Sequence, residues 1–448
     1  MSAGVARLRT NALVRGGVIV GAGIFAGNVT GFFRVAVTAY LLGTHARADS
    51  LAVSMGLLDN LNSVTVNTML FAFVPMLMLR ANGERMALFA RAGRIFASIL
   101  AVASALTALL AGPLATILGP GLAPPQHAEA TLLIRFLAPA TAFAGGAAIF
   151  SALLYTERRF IAPVLYQSIL NGMTIAGALA LWKDFGVIGF AVGYTAGAAM
   201  NLLVVWFASR DLRARPRTEI DISAREVLAR PGMFLLYAGG ISLNIIVTRA
   251  YATHGGPGMA AALEYAMRCL NVGLAYLVFP VAHSLLPEIA RLRGAGESTR
   301  AYRLIDRSVA LMAAGAVLSC AIAVLLRTPI ITLLFERGSF TAESTRLVAD
   351  VFLGFAPSLV GWTLMDLMSR CLFALDRPKL PTLTSFVPVV VNVAVMMLLW
   401  PHHAIQSNPA ILGLGASAGL MAGFVVLFAV MHLRRRAFQV DPVTAHVR

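Results

Sequence analysis

The sequence predicts an all-α polytopic membrane protein with about twelve transmembrane helices in two six-helix lobes related by a parallel pseudo-two-fold repeat. Three observations carry that expectation. The 448 residues are 58% hydrophobic and only 12% charged, with a mean hydropathy of +0.79, whereas a soluble domain carries about 25% charge. Apolar runs long enough to cross a bilayer recur near 17–43, 49–79, 89–112, 129–155, 161–182, 186–209, 231–252, 262–288, 308–328, 347–374, 380–400 and 410–433. Two pairs of loops also echo each other across the middle of the chain.

The segment 1–16 is polar to basic and runs into the first apolar stretch without an early small-residue cleavage site, so the first span is expected to be retained as an anchor. The formal charge of +16 is distributed by topology rather than clustered for nucleic acid. About 26 of the 36 Lys and Arg fall at the two ends and in the even-numbered loops, against about five in the odd-numbered loops, which is the positive-inside asymmetry. Both termini are therefore expected to be cytoplasmic. Arg210, Arg213, Arg215, Arg217, Arg225 and Arg230 make 210–230 a basic cytoplasmic linker between lobes at 17–209 and 231–433. Arg434, Arg435 and Arg436 open a basic tail over 434–448. Cys269, Cys320 and Cys371 lie in expected spans without metal-ligand spacing and read as packing residues.

The loop echoes set the register of the two halves. "FVPMLMLRANGER" (73–85) leaves the second span as "LLPEIARLRGAGE" (285–297) leaves the eighth, each with a proline, then arginine, then a Gly-containing turn. "LLYTERRFIAP" (153–163) and "CLFALDRPKLP" (371–381) match Tyr155, Arg159 and Pro163 to Phe373, Arg377 and Pro381 at one constant separation. Because each half has an even number of spans, the halves share an orientation, and a binding site is expected between them near the midplane.

Charges inside the bilayer are costly and usually face a bundle interior or a wet cavity. Arg135 and Arg370 are close enough to span ends to snorkel. Arg249 is near the outer end of span seven, while Arg34 and Arg268 are deeper. Glu264 with Arg268 and Asp366 with Arg370 have i,i+4 spacing, so each pair is either neutralised within its own helix or faces water, where its charges separate as a ligand or ion binds. In span two, Asp59, Asn62, Ser63 and Asn67 recur at helical spacing and are expected on one face. That stripe is either interhelical glue or, with Asn28, Arg34, Asn244, Arg268 and Asn271, the wall of a shared hydrophilic cavity. No P-loop or HExxH motif is present, and His402–His403 has no acidic neighbour, so no catalytic or metal site is expected.

These residues resemble a known family. "VTGFFRVAVTAYLLGTHARADSLAVS" (29–54) is similar to the first-helix signature of the MurJ (MviN) family of the multidrug/oligosaccharidyl-lipid/polysaccharide exporter superfamily. "FAFVPML" (71–77), "YAMR" (265–268) and "LLFERGSFTAESTRLV" (333–348) resemble further family segments in order along the chain. The resemblance implies a two-lobed transporter in the bacterial cytoplasmic (inner) membrane that alternates between inward- and outward-open states. Its central cationic cavity would bind the head group of a polyprenyl-diphosphate-linked sugar, with lipid II for peptidoglycan synthesis as the default cargo. Arg34, Asp49 and Arg268 match charged cavity positions of the family, and Asn28, Asp59, Asn62, Asn67, Asn244, Arg249, Glu264 and Asn271 complete the expected lining.

No cofactor or nucleic acid is expected, and the drive would be membrane potential or a coupled ion, with Asp59 and Asp366 as candidate ion-binding carboxylates. Cell-envelope synthesis enzymes are the expected protein partners. Asn28, Asn62 and Ser63 stand where the family carries arginines, and about twelve spans stand against its fourteen. Those departures keep other readings in view: a flippase for an exopolysaccharide repeat unit, a cation-coupled multidrug exporter, and, from another class, a polytopic glycosyltransferase or a non-transporting assembly component. The short outer loops leave little room for a glycosyltransferase site.

Overall fold

The computed structural model describes residues 3–214, 232–375, 377–399 and 404–433. Most of the linker, including Arg215, Arg217, Arg225 and Arg230, lies outside the described residues, as do His402, His403 and the tail from Arg434. Every regular element among the described residues is an α-helix. Apolar stretches of this length in lipid have no water to satisfy N–H and C=O groups, and a helix satisfies them internally.

The first unit contains α1 (Ala3–Leu42), α2 (Ala46–Met78), α3 (Asn82–Leu109), α4 (Pro124–Leu137), α5 (Pro139–Thr156), α6 (Tyr166–Phe185) and α7 (Ile188–Ala208). The second contains α8 (Gly232–Thr253), α9 (Met259–Gly294), α10 (Ser298–Leu325), α11 (Ala342–Phe355), α12 (Ser358–Ala374), α13 (Val387–Leu399) and α14 (Ala410–Leu433). By contact the first unit comprises Met1–Thr38, Ala46–Leu118 and Leu122–Leu235, and the second Ala39–His45, Gly119–Gly121 and Leu236–Arg448. Helix α1 starts at Ala3, well before the apolar run at 17, because its Ala, Leu and Arg residues are strong helix formers.

Nine helices among the described residues are long and apolar enough to cross a membrane, or ten if the bent pair α11–α12 counts as one span. Helices α6 and α9 are also long, at 20 and 36 residues, but interrupt their apolar runs with more polar side chains. The chain is a multi-pass membrane protein. Large apolar side chains such as Leu109 (75% exposed), Leu325 (77%) and Leu433 (84%) stand outward, where lipid is the solvent.

Since lipid tails are as apolar as leucine, helix association rests on close packing. Gly189, Gly193 and Gly197 recur every fourth residue along α7 and meet α6, and a Cβ on Gly177 of α6 would come 2.6 Å from the Gly193 Cα. The second unit repeats the device, with Gly415, Gly419 and Gly423 of α14 against Pro388, Asn392 and Met396 of α13. Each unit also has its own core. Phe73, Phe89 and Phe96 anchor the first, and Ile289, Ile305, Met368 and Leu372 lie in the second.

A proline interrupts one long apolar stretch in each unit. Pro139 separates α4 from α5, and Pro357 separates α11 from α12, where the axis bends by 46°. Proline removes the N–H and crowds the preceding turn, which is enough to break a helix there. Arginines of the echoing loops are held within the first unit: Arg85 bonds Glu157 at 2.8 Å and the Leu77 carbonyl at 3.0 Å, and Arg159 grips both Asp211 oxygens at 2.5 and 2.9 Å. Cys269, Cys320 and Cys371 are free thiols.

Candidate functional site

In the first unit the polar residues converge on one carboxylate. Arg34 of α1 donates from Nη2 to Asp59 Oδ2 at 2.8 Å and from Nη1 to Oδ1 at 3.4 Å. Tyr194 of α7 donates its hydroxyl to Asp59 Oδ1 at 2.8 Å, and Asn62 donates Nδ2 to the Tyr194 oxygen at 2.9 Å. Four side chains from three helices thus form one chain of hydrogen bonds. The Arg34 guanidinium carbon lies 6.0 Å from the Tyr194 ring centroid, within cation–π range. Tyr194 and Asn62 are buried, while the Arg34 and Asp59 side chains are 12% and 32% exposed. The ion pair is therefore the accessible end of the network.

Other expected site residues separate. Asn67 and Ser63 bond each other at 3.2 Å on an exposed face, whereas Asn62 turns inward, so the expected single stripe divides into a buried branch and an outer branch. Asp49 is 2% exposed in the first turn of α2, with Gln126 Nε2 3.5 Å from its Oδ2. A carboxylate is favoured there by the helix N-terminus, and its side chain packs inside the unit. Asn28 is half-buried on α1.

The second unit adds an ion pair that i,i+4 spacing does not offer. Arg249 of α8 reaches Glu264 at 2.5 Å. Arg249 is only 9% exposed, and a buried guanidinium needs an anion. Arg268 is half-buried on α9. The Asp366–Arg370 pair forms within α12 at 2.7 Å, as its spacing allows. Asn244 is 3% exposed and accepts from Asn392 Nδ2 at 2.9 Å, and the same amide reaches Thr248 Oγ1 at 2.8 Å. Its oxygen is engaged in holding α8 to α13. Asn271 is exposed and lines a shallow pocket with Met267, Leu270, Phe355, Ser358 and Trp362.

Sequence reasoning missed Tyr194 and Asn392. Asn392 is the one polar side chain of α13, a signal that could have found it, whereas Tyr194 sits beside Thr195 and carries no such mark. It also overlooked a G-x-S-x-G spacing at Gly415–Gly419, the pattern of a hydrolase nucleophile turn. Ser417 lies within the continuous helix α14, buried, and donates to the Gly354 carbonyl at 2.9 Å, so the motif is a packing seam. The "FERGSF" segment likewise packs: Phe335, Phe340 and Tyr265 have ring centroids 5.5–5.8 Å apart. No group of three metal-ligating side chains occurs among the described residues.

Comparisons with known proteins agree with this architecture. Residues 38–446 match the family model described as lipid II flippase MurJ. A probable lipid II flippase MurJ of Rhizobium meliloti (strain 1021) is 26% identical over 441 residues, covering 94% of this chain and 80% of the relative. A counterpart so named in Vibrio cholerae serotype O1 is 22% identical, covering 94% and 83%. Among solved structures, a lipid II flippase MurJ in an inward closed conformation superposes with a TM-score of 0.80 at 19% identity, covering 92% of this chain and 87% of that one. An inward-facing multidrug resistance MATE family transporter gives 0.77 at 12% identity, covering 92% and 95%. The family match spans nearly all the described helices, and the chain belongs to the MurJ family.

Proposed function

We propose that the chain is a flippase that moves an undecaprenyl-diphosphate-linked cell-envelope precursor, lipid II in the first instance, from the inner to the outer leaflet of the bacterial cytoplasmic membrane. The observation that carries this reading is the family match over residues 38–446, and the relatives' names supply the cargo. The chain acts as a transporter, not an enzyme, and its substrate reaches it from within the bilayer. Two six-helix lobes, 17–209 and 231–433, alternate access to a cavity whose cationic groups include Arg34 and Arg268. The recurring glycine seams and the matched Pro139 and Pro357 support a parallel repeat. Arginine suits a diphosphate because its planar fork donates two parallel hydrogen bonds to phosphate oxygens.

Both termini and the linker 210–230 face the cytoplasm in this reading, following the distribution of arginine. The membrane potential can act on moving charges with about 2.3 kcal/mol per charge per 100 mV, and Asp366 is a candidate carboxylate for a coupled cation. The test is complementation of a strain depleted of its own lipid II flippase, comparing wild type, Arg34→Ala and Arg268→Ala at matched membrane expression. Rescue by wild type and loss in both variants is expected. A well-expressed wild type that fails to rescue would reject lipid II as cargo, and rescue by both variants would reject the cavity assignment.

A further inference from the structure

The Arg34–Asp59 pair has a consequence for selectivity, and it rests on the flippase reading above. A cationic site reachable from the bilayer meets a large excess of ordinary anionic phospholipids, each with one phosphodiester charge. Its cargo is scarce, and its diphosphate carries about two charges. An unguarded arginine would bind both classes, and discrimination depends on the difference between them.

We propose that Asp59 is an internal guard anion that keeps Arg34 occupied against monoanionic phospholipid head groups and yields it to a diphosphate. The geometry fits that role in three ways. The guanidinium is held in bidentate fashion by Asp59, with contacts of 2.8 and 3.4 Å, so an incoming group must replace both. A phosphodiester offers the same single charge as the carboxylate and gains nothing by exchange, whereas a diphosphate offers more charge and more acceptor oxygens to the same fork. The displaced carboxylate is not abandoned, because Tyr194 already donates to Oδ1 at 2.8 Å and is itself oriented by Asn62 at 2.9 Å. Tyr166 of α6 lies within electrostatic reach of both charges. The pair's partial exposure makes it reachable for exchange. Tyr194 is thus a positioning residue, and Asp59 sets specificity.

The test uses the purified full chain and undecaprenyl diphosphate as probe, with binding measured in vesicles of phosphatidylcholine alone and in vesicles with about a third phosphatidylglycerol. Wild type is expected to bind the probe with nearly equal affinity in both. Asp59→Asn should bind about 10-fold more tightly in phosphatidylcholine, as expected for removing one charge-assisted competitor, and lose that gain in phosphatidylglycerol. Tyr194→Phe, which leaves the ion pair in place but takes from the displaced carboxylate its donor, should weaken probe binding in both vesicles and covers the case of an unstable Asp59 variant. Wild-type affinity of Asp59→Asn in both vesicles, or an equal gain in both, overturns the guard role while leaving the flippase reading intact. Absence of probe binding in wild type and variant alike overturns both.

Discussion

The two units handle buried charge differently. In the first, one arginine, one aspartate, one tyrosine and one asparagine from α1, α2 and α7 form a single network with a reachable ion pair at its end. In the second, ion pairs form both across and within helices: Arg249 with Glu264 across α8 and α9, and Asp366 with Arg370 inside α12, with Tyr237 within electrostatic reach of the latter pair. Neutral amides, Asn244 and Asn392, hold its helices together. The difference teaches that a stripe of polar residues in a membrane helix has no fixed role. What the partner contributes, and whether the pair can be reached, differs from one charge to the next.

Four single substitutions and one double variant sharpen this contrast. Arg34→Ala should have the largest effect, lowering flipping about 10- to 100-fold, as expected for losing a charge-assisted contact worth about 1.5–3 kcal/mol; a reconstituted flipping assay at matched protein content reads it. Next, Glu264→Gln should lower thermal stability in detergent by several degrees, because it leaves Arg249 without its anion, and breaking buried pairs costs about 3–5 kcal/mol. The double variant Arg249→Met/Glu264→Leu should recover most of that loss. Failure of the double variant to recover would show that the second unit, too, uses its pair for more than packing.

Asn392→Leu should be milder, about 1 kcal/mol, in keeping with measured interhelical hydrogen bonds in membranes, and it should leave probe binding unchanged. The smallest effect is expected at Asp211. Its hydrogen bond from Arg159 holds its carboxyl below the usual range, so the pair's contribution is present above the unfolded value of about 3.9 and is lost as pH falls through the lower folded value. Asp211→Asn should therefore leave the melting temperature at pH 7 unchanged within error, since exposed pairs are screened. A clear loss at pH 7 would show that this loop is not simply solvated.

Much of the fold was legible because it depends on one local property, the length of apolar runs. Charge placement added an expected topology. The proline breaks were also present in the sequence, but a proline can kink a helix or be absorbed within it, as Pro75 is inside α2. For the candidate site, spacing supplied positions but not pairs. Spacing allowed the Asp366–Arg370 pair that forms, since both residues share one helix. It gave no sign of the Arg249–Glu264 pair, because no local rule reports that Arg249, fifteen residues earlier, folds back beside Glu264. Tyr194 was illegible for the same reason: its importance comes from Asp59, 135 residues away in sequence.

The glycine seams bear on mutational history. Where α6 and α7 meet, backbone touches backbone at Gly177 and Gly193, and no side chain is present to readjust around a newcomer. The smallest available change, a single methyl group, already meets main-chain atoms on the other helix. A saturation scan should therefore find some of the least replaceable positions of this transporter far from any charge, in residues without a side chain. Drift in the polar network can be absorbed by exchanging one hydrogen-bonding group for another, as the contrast between the two units illustrates. Drift in the seams cannot, and over long divergence they should keep their identity after the charged residues have changed.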